Sequence, residues 1–487
     1  MPQFQIQIPL SLYISKSTNT SPNGEAIVMK NFIPTLSGGV QLRRGHKHLG
    51  FSDIDYIATF KSTNTLVLFS RTSGLKILNQ IYMVVYEDAD FKSVPVNYIE
   101  TAERLLLFFN NETVKELNFN GIYNIEEVKF NDDIARVFYN ATRYRNRLFF
   151  IEKDSNILWY AAILAYKGDL ESFDATGVYN SKGKIVNIDT FGYTGGLGEL
   201  TYLVVAFNSG DILLFDGINP SDLTGENWQA KRIISSHLDT YNQIINTGSN
   251  LFLLTANGLL DLQSAIQSNN IAMATTLLIP IQDTIKFSRA RIFTHKEYII
   301  ITQSSSTEVY FFDTRLKVFF SITGFSFNHV ETFHDKLIFL DTNGNLFEAF
   351  TAKNDNGNAI IGELATGWQD LGTPNNKRIT FINCGMFYTN GDYKIQTGIY
   401  KNNDITKGTM KQLPLIAPNS PRWSNITPTW TEAARLWFGS SMGAYKSIKF
   451  PKMALGRNIS FYFVIQSDNV DSFEFQDMSI DYDLMAF

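Results

Sequence analysis

LTYLVVAFNSGDILLFDG, residues 200–217, is the stretch that decides the fold. Two apolar runs are separated by Asn208-Ser209-Gly210-Asp211, a group that supplies the positive-φ residues of a tight hairpin turn. Apolar runs of this length, rich in Val, Leu and Phe, favour strands. The same pattern of apolar run, polar turn and apolar run begins at six other places: Asn64, Arg104, Arg147, Asn250, Lys296 and Asp335. The sequence therefore predicts seven hairpins.

The seven hairpins recur about every 45 residues, which is the length of a four-stranded propeller blade. Two strands of each blade lie in the hairpin, and two weaker ones fall between hairpins. One blade cannot bury both of its faces, but a closed ring of blades can. We predict an all-β chain with a β-propeller of six to eight blades over residues 51–372. A long β-solenoid and two stacked sandwiches are the alternatives.

The two flanks of the repeat region have a different character. In the C-terminal flank, residues 373–487, the apolar residues Met478, Ile480 and Tyr482 alternate with polar ones, as in a strand with one buried face. The N-terminal flank, residues 1–50, is rich in turn residues and ends near a basic cluster. We predict a β-sandwich-like platform domain that is built from both flanks.

Composition limits the function classes. The 487 residues carry 42 Lys and Arg against 47 Asp and Glu, a net charge of −5, which argues against a surface that grips nucleic acid throughout. The single cysteine, Cys384, excludes an intramolecular disulfide and a Cys-clustered metal site, and predicts a small core residue. The longest apolar stretch, Ile157–Tyr166, is too short to span a bilayer. With no signal-peptide pattern at the start, we expect a chain that is soluble or becomes so on assembly.

The stretches that resemble catalytic or cofactor-binding motifs lack the partner residues or the spacing that those motifs require. Gly439–Gly443 matches Gly-x-Ser-x-Gly, but no histidine follows Ser441. Ser221–Trp228 approaches the sialidase Asp-box, although its Asp222 is one position early and it occurs once. Gly177–Lys184 has the wrong spacing for a phosphate loop. We therefore expect no catalytic residues, no metal site, no cofactor and no enzymatic activity.

Two basic features are candidate partner-docking sites. The first is the cluster at 43–48, with Arg43, Arg44 and Lys47 as its permanent charges. The second is a period-two series that would align three guanidinium groups on one side of a strand. It consists of Arg143, Arg145 and Arg147. Contact with nucleic acid and pairing with acids of a neighbour are the alternatives for the second, and the net charge favours pairing.

Four motifs of moderate specificity are spread piecemeal along the chain. They are Asn23–Pro34 continuing through Gly38 to Gly45, Arg145–Ile151 followed by Leu158–Tyr160, Leu214–Asp222 reaching Trp228, and Gly456-Arg457 before two alternating strands. In this order they resemble the tail nozzle proteins of short-tailed bacteriophages, also called tail hub or packaged-DNA stabilisation proteins.

The resemblance implies a structural virion protein that forms a homohexameric ring below the portal and adaptor. In such a ring the flanking segments form a platform that meets the adaptor and fibres, and the propellers surround the exit channel. Such a ring would retain packaged DNA and conduct it during ejection, in transient non-specific contact with it. Its partners would be the head-to-tail adaptor and the tail fibre or spike proteins. It would be located in the short tail of the virion, which is assembled in the host cytoplasm. A lumen that is acidic or neutral would let DNA slide, because Lys and Arg hold phosphates by counterion release. The resemblance does not identify which residues would form a gate for the DNA.

Two other functions are compatible with the sequence. One is a carbohydrate-binding or carbohydrate-cleaving β-propeller of a virion fibre, because propellers often carry such sites. The other is a different virion connector with the same architecture. A connector should form rings, whereas an enzyme should release sugar as a free protomer.

Overall fold

The structure, a computed structural model, is almost entirely β. Within its described residues, the helical elements include α1 (Leu262–Ser268) and a 3-10 turn at Phe287–Arg289. The described residues are 3–14, 24–130, 136–175, 183–195, 198–222, 228–235, 240–248, 250–255, 258–268, 280–281, 284–304, 306–373, 375–388, 392–402, 411–416 and 444–485.

The N-terminal flank contributes short strands to both parts of the molecule. They are β1 (Gln3–Ile6), β2 (Ser11–Leu12), β3 (Glu25–Lys30), β4 (Phe32–Pro34), β5 (Val40–Leu42) and β6 (Gly45–His48).

Blades 1–4 of a propeller follow, each an antiparallel sheet of four strands. Blade 1 has β7 (Tyr56–Phe60), β8 (Thr65–Ser70), β9 (Gly74–Leu78) and β10 (Val84–Asp88); blade 2 has β11 (Asn97–Thr101), β12 (Arg104–Phe108), β13 (Lys115–Phe119) and β14 (Tyr123–Glu127). Blade 3 has β15 (Phe138–Tyr144), β16 (Arg147–Glu152), β17 (Ile157–Ala161) and β18 (Leu170–Asp174); blade 4 has β19 (Ile185–Gly195), β20 (Gly198–Phe207), β21 (Asp211–Gly217) and β22 (Trp228–Ser235).

Blades 5–7 bring the number in the described part of the chain to seven. Blade 5 has β23 (Thr240–Asn246), β24 (Leu251–Thr255) and β25 (Gly258–Asp261); blade 6 has β26 (Ala290–His295), β27 (Tyr298–Gln303), β28 (Glu308–Asp313) and β29 (Val318–Thr323); blade 7 has β30 (His329–Phe333), β31 (Lys336–Leu340) and β32 (Leu346–Ala352). The propeller prediction is confirmed, and each of the seven predicted hairpins forms the second and third strands of one blade.

The N-terminal flank closes the ring. Strand β6 pairs antiparallel with β32 and becomes the fourth, outermost strand of blade 7. The first strand of blade 7, β30, in turn packs against the first strand of blade 1, β7. Because blade 7 combines strands from both ends of the propeller, separating it from blade 1 requires breaking a β-ladder as well as a packed interface. We call β6 and its pairing the clasp.

The remaining strands belong to the platform. They are β33 (Ile360–Thr366), β34 (Lys377–Tyr388), β35 (Asp392–Lys401), β36 (Lys411–Ile416), β37 (Ala444–Gly456), β38 (Ile459–Ser467) and β39 (Phe473–Leu484). One sheet has the order β37-β34-β39-β5-β4, with β1 also paired to β39. The other has the order β3-β33-β38-β35-β36, with β2 paired to β3. Side chains such as Phe32, Phe463 and Phe475 pack between them, so both flanks form one β-sandwich as predicted. Cys384 is a buried core residue of this sandwich.

The boundary between the two parts differs from the predicted residues 50 and 372. The clasp strand lies in the propeller although it was assigned to the platform, and β33 lies in the platform although it was assigned to the propeller. The reason is pairing across long sequence separations, which local periodicity does not record. Strand β3 also pairs in parallel with β29 through Lys30 and Ser321. Blade 6 and one platform sheet are therefore a single ten-stranded sheet.

Candidate functional site

Arg43 is a structural residue at the junction of propeller and platform. Its side chain is 1% exposed and forms a two-pronged ion pair with Asp355, with N–O distances of 2.8 and 2.6 Å. Its Nε donates to Oδ1 of Asn31 at 2.7 Å, and Nη2 donates to the carbonyl of Thr323 at 3.1 Å. This burial removes Arg43 from any docking surface, and corrects the prediction that it contacts a partner.

The rest of the basic cluster at 43–48 is mainly part of the clasp. His46 is fully buried among phenylalanine rings, with Phe325 and Phe339 about 5 Å away. Burial and the nearby Arg43 charge hold its pKa well below the usual value, so this ring is neutral. Arg44 is half-buried and donates to the carbonyl of Thr351. Lys47 is exposed on β6, and it remains a candidate for contact with a partner.

Arg143, Arg145 and Arg147 do not share one face of a strand. Strand β15 ends at Tyr144, Arg145 and Asn146 have positive φ in the turn, and Arg147 begins β16. The prediction of an aligned stripe is wrong because the hairpin turn interrupts the period-two alternation. The three side chains instead connect neighbouring elements, since Arg145 pairs with Asp216 of blade 4 at 2.7 Å and Arg143 donates to Thr101 of blade 2. Arg147 donates to the carbonyl of Ala161.

A ladder of asparagines joins the innermost strands of blades 2, 3 and 4. Asn97 donates through its side chain to Asn140, and Asn140 donates to Asn187 at 2.6 Å. The carbonyl oxygen of each side chain also accepts the N–H of the next residue. An amide side chain donates and accepts at once, so one residue type can bridge repeated blades. We call this set the asparagine ladder.

The apolar periodicity does not predict the asparagine ladder, although the sequence contains a signal for it. Asn97 lies seven residues before Arg104, where the hairpin of blade 2 begins, and Asn140 lies seven residues before Arg147 in blade 3. A polar residue in fixed phase with an apolar hairpin indicates a shared position in the repeat.

Glu331 connects blades 7, 1 and 2. Its carboxylate accepts from the Tyr98 hydroxyl at 2.9 Å and from Thr59 at 3.3 Å. His329 Nε2 lies 3.4 Å from the other carboxylate oxygen. Burial, followed by the Glu331 charge, raises the pKa of Tyr98 well above its usual value, so the phenol stays a hydrogen-bond donor.

We expect Tyr98→Phe to lower the free energy of unfolding by about 1–3 kcal/mol, because the carboxylate of Glu331 loses a donor where water is scarce. Tyr86→Phe is the matched control. No hydrogen bond joins the Tyr86 hydroxyl to another described atom, so we expect a change within about 0.5 kcal/mol. Urea denaturation of both variants checks this, and equal losses would contradict the bridging role of Glu331.

Asp189 on β19 is a second acid of the innermost strands. Burial raises its pKa to about 6, against hydrogen bonds from the Thr190 N–H and from the side chains of Asn246 and Thr142. Below about pH 4 the carboxyl is protonated in both the folded and the unfolded chain. As the pH rises to about 6 the unfolded chain ionises first, so this residue's contribution to stability is lost over that window.

We therefore expect Asp189→Asn to be more stable than the natural chain at pH 7.5, by up to about 2 kcal/mol after allowance for partial exposure. At pH 4 the two chains should be equally stable. Urea denaturation at both pH values checks this. A difference that does not change between pH 4 and pH 7.5 would mean that Asp189 has an ordinary pKa.

A polar cavity of about 720 Å³ lies at the mouth of the propeller, where the innermost strands begin. Its wall includes Tyr56, Asn97, Asn187, Arg291 and His329 from five of the blades. Its volume is within the range of small-molecule pockets, about 300–1,000 Å³. Duplex DNA does not fit in a cavity of this volume.

A second cavity, of about 1080 Å³, is a groove between blades 3 and 4. Trp159, Trp228 and Phe173 line it together with the acids Glu171 and Asp174. Neither indole N–H has a hydrogen-bond partner among the described atoms. Part of the Asp-box-like stretch lies here, between the third and fourth strands of blade 4, and its residues 223–227 are outside the described residues.

Two features are absent from the described residues. They contain no group of three or more His, Cys, Asp or Glu side chains arranged to hold a metal ion. Of the helices described, none has the length and apolar character needed to cross a membrane.

No protein-family model and no curated protein matches the chain. The β-propeller domain of Cps50 (Swd1) from Myceliophteria thermophila is similar over 63% of this chain and 100% of that one, with 11% identity and a TM-score of 0.42. YCF48 from Cyanidioschyzon merolae is similar over 63% of this chain and 98% of that one, with 12% identity and a TM-score of 0.39. Raptor from Chaetomium thermophilum matches over 64% of this chain, which spans 29% of Raptor's length, with 12% identity and a TM-score of 0.41. Likenesses of this level carry no inference about function.

Proposed function

We propose that the chain is a non-enzymatic subunit of the tail nozzle of a short-tailed bacteriophage, where copies form a ring that retains packaged DNA and conducts it during ejection. The observation that carries the proposal is the architecture: both flanks form one sandwich that shares a continuous sheet with blade 6 of a closed propeller. This is the combination of platform and propeller that the resemblance to tail nozzle proteins implies.

In this proposal the DNA path lies between copies of the chain. The cavity at the propeller mouth is of small-molecule size. Asn97 and Asn187 of the asparagine ladder line this cavity, and Glu331 bridges the innermost strands of blades 7, 1 and 2. A ring of copies is therefore needed to enclose a duplex, and ring formation is the property that the proposal requires of the isolated protein.

Charge is distributed unevenly between the two parts. Residues 45–352, the propeller, carry 25 Lys and Arg against 34 Asp and Glu, a net charge of −9. The platform, residues 1–44 and 353–487, carries 17 against 13, a net charge of +4. Acidic propellers around a DNA path would repel phosphates and let the duplex slide, in accord with the lumen expected from the resemblance.

The test is electron microscopy of the purified full-length chain, alone and mixed with particles that lack it. We expect rings with an opening wide enough for duplex DNA, located at the tail vertex when particles are present. In addition, particles without the chain should lose their DNA and regain retention when it is supplied. Particles that hold DNA equally well without the chain would overturn the proposal.

DNA binding gives a second check on the same proposal. We expect the purified chain to bind duplex DNA more weakly than about 10⁻⁴ M at physiological salt, the weak end of the non-specific range. Tight binding that falls steeply with salt would indicate a surface that holds phosphates and would contradict a sliding channel.

Carbohydrate binding is the second candidate, and the groove between blades 3 and 4 favours it. Aromatic rings and acids line one groove, and these are groups that contact the apolar faces and hydroxyls of sugars. Titration calorimetry with host surface polysaccharide, using Glu171→Gln as the matched variant, tests this candidate. Saturable binding that the variant abolishes would favour a fibre-type function.

A further inference from the structure

Exposed apolar side chains concentrate at one set of turns. In blades 1, 2 and 3, the turn from the third to the fourth strand carries Ile81 and Met83, Ile122, and Ile163 and Leu164, with exposures of 52–75%. All strands of a propeller alternate in direction in the same way in every blade, so these turns lie on one face and at its outer edge. Exposed apolar side chains that recur on one face of neighbouring blades are typical of an interaction site.

The strands that leave these turns are acidic. The outermost strands β10, β14 and β18 contain six Asp and Glu and no Lys or Arg, with Glu126, Glu127 and Glu171 exposed. Charge on an edge strand discourages edge-to-edge pairing, which accounts for some acids but not for the lack of bases. The series of acidic outermost strands ends at blade 4, because the outermost strand of that blade carries Lys231 and Arg232. We call the turns and acidic strands of blades 1–3 the corner surface.

The platform carries a surface of opposite character. Leu455 and Leu484 are 48% and 51% exposed, and both lie beside the start of β34. Arg378, Lys401 and Arg457 are exposed around them, and none of the three forms an ion pair with another described residue. Asp483 opposite Arg378 offsets one of these charges. We call this apolar and basic set the platform end.

The two surfaces lie on different sides of the molecule. The platform is joined to blade 6 through β3 and to blade 7 through the segment that leads into the clasp. In a seven-bladed ring, blades 2 and 3 are opposite blade 6. The corner surface therefore lies across the propeller from the platform and does not contact the platform end of its own chain.

We propose that the corner surface of one copy binds the platform end of the next copy. The contact is heterologous, that is, head to tail, and such contacts build a ring when the rotation closes. Apolar turns would pack on Leu455 and Leu484 while the acidic strands pair with Arg378, Lys401 and Arg457. The inference rests on the proposed ring-forming function and assigns the surfaces that form the ring.

Charge reversal on either side tests the contact in the full-length chain. Sedimentation velocity would compare E126K/E127K on the corner surface with R378E/R457E on the platform end. Like charges across an interface oppose association, so we expect each variant alone to associate at least about tenfold more weakly than the natural chain. D335K/D468K changes two exposed acids, in the β30–β31 turn and just after β38, that lie outside both assigned surfaces; it is the matched control and should associate normally.

An equimolar mixture of the two charge-reversal variants tests the contact more specifically than either variant alone. In an equimolar mixture of the two variants, every corner surface finds a platform end of opposite charge in a copy of the other variant. We therefore expect association to return to within about threefold of the natural level, since complementarity is restored at every contact. Unchanged thermal unfolding of each variant would show that folding is intact. Failure of the mixture to associate would overturn the proposal.

Cysteine trapping gives an independent readout. The only native cysteine, Cys384, is buried, so I122C and L455C chains carry one reactive thiol each. We expect mild oxidation of an equimolar mixture to yield I122C–L455C dimers, and few dimers from I122C alone. Rings that form without this cross-link and despite charge reversal would refute the assigned surfaces and leave the proposed function standing. Failure of the natural chain to form rings, alone or on particles, would refute both.

Discussion

Replacing Arg43 by alanine is expected to lower the free energy of unfolding by about 3–5 kcal/mol, the cost of breaking a buried ion pair and leaving one charge unpaired. Asp355 would keep its charge in a site where its remaining donor is the N–H of His46 at 3.2 Å. Asn31 would lose the same guanidinium. The residue holds β3, blade 6 and the segment after β32 together, so its loss should loosen the platform on the propeller.

The matched control for Arg43→Ala is Arg145→Ala. Arg145 also forms an ion pair, with Asp216 at 2.7 Å, but its side chain is 37% exposed against 1% for Arg43. We expect a loss of at most about 1 kcal/mol for the exposed pair. Guanidinium denaturation and calorimetry of both variants measure the difference. Losses of similar size would mean that the Arg43 pair is open to water.

Replacing Gly45 by valine should open the clasp. A Cβ at this position would lie 1.8 Å from the carbonyl oxygen of Asn354, far inside van der Waals contact, and the obstacle is backbone that cannot turn away. Strand β6 must then separate from β32 or the segment after blade 7 must move. We expect the free energy of unfolding to fall by about 3 kcal/mol, at the upper end for overpacking.

Hydrogen exchange locates the effect of Gly45→Val. Amides of β32 and β6 should exchange faster in the variant, while those of blades 3 and 4 keep their protection, because opening starts where the ring is closed. Lys47→Ala on the same strand is the control; its side chain is exposed, and we expect a change within about 0.5 kcal/mol. Faster exchange spread evenly over all blades would contradict a local clasp.

The repeat unit could be predicted from sequence because it is local. Turn residues and apolar runs lie within about twenty residues of each other, and Asn208 to Asp211 forms the predicted turn with Gly210 at φ +89°. The positions of the basic residues could not be predicted. Arg43 has the charge of a surface residue, and only a partner 312 positions away, Asp355, permits its burial.

Long-range pairing explains the clasp, and a local turn explains the arginine series. The clasp joins residues 45–48 to β32, about 300 positions later, and a basic sequence gives no indication that it will become the edge of a blade. The prediction of an aligned series at Arg143–Arg147 was wrong for a local reason. Arg145 and Asn146 form a hairpin turn, and this turn contains neither Gly nor Pro, the residues that usually indicate one. Asn146 is a residue type that tolerates positive φ, and it was the one sequence signal that could have indicated the turn.

The most direct test of the account is electron microscopy of the purified full-length chain at a concentration where it self-associates. The account requires closed rings in which separate seven-bladed discs surround an opening that admits duplex DNA, with platforms touching the next disc. Single protomers at every concentration and on particles, or rings too narrow for a duplex, would contradict it.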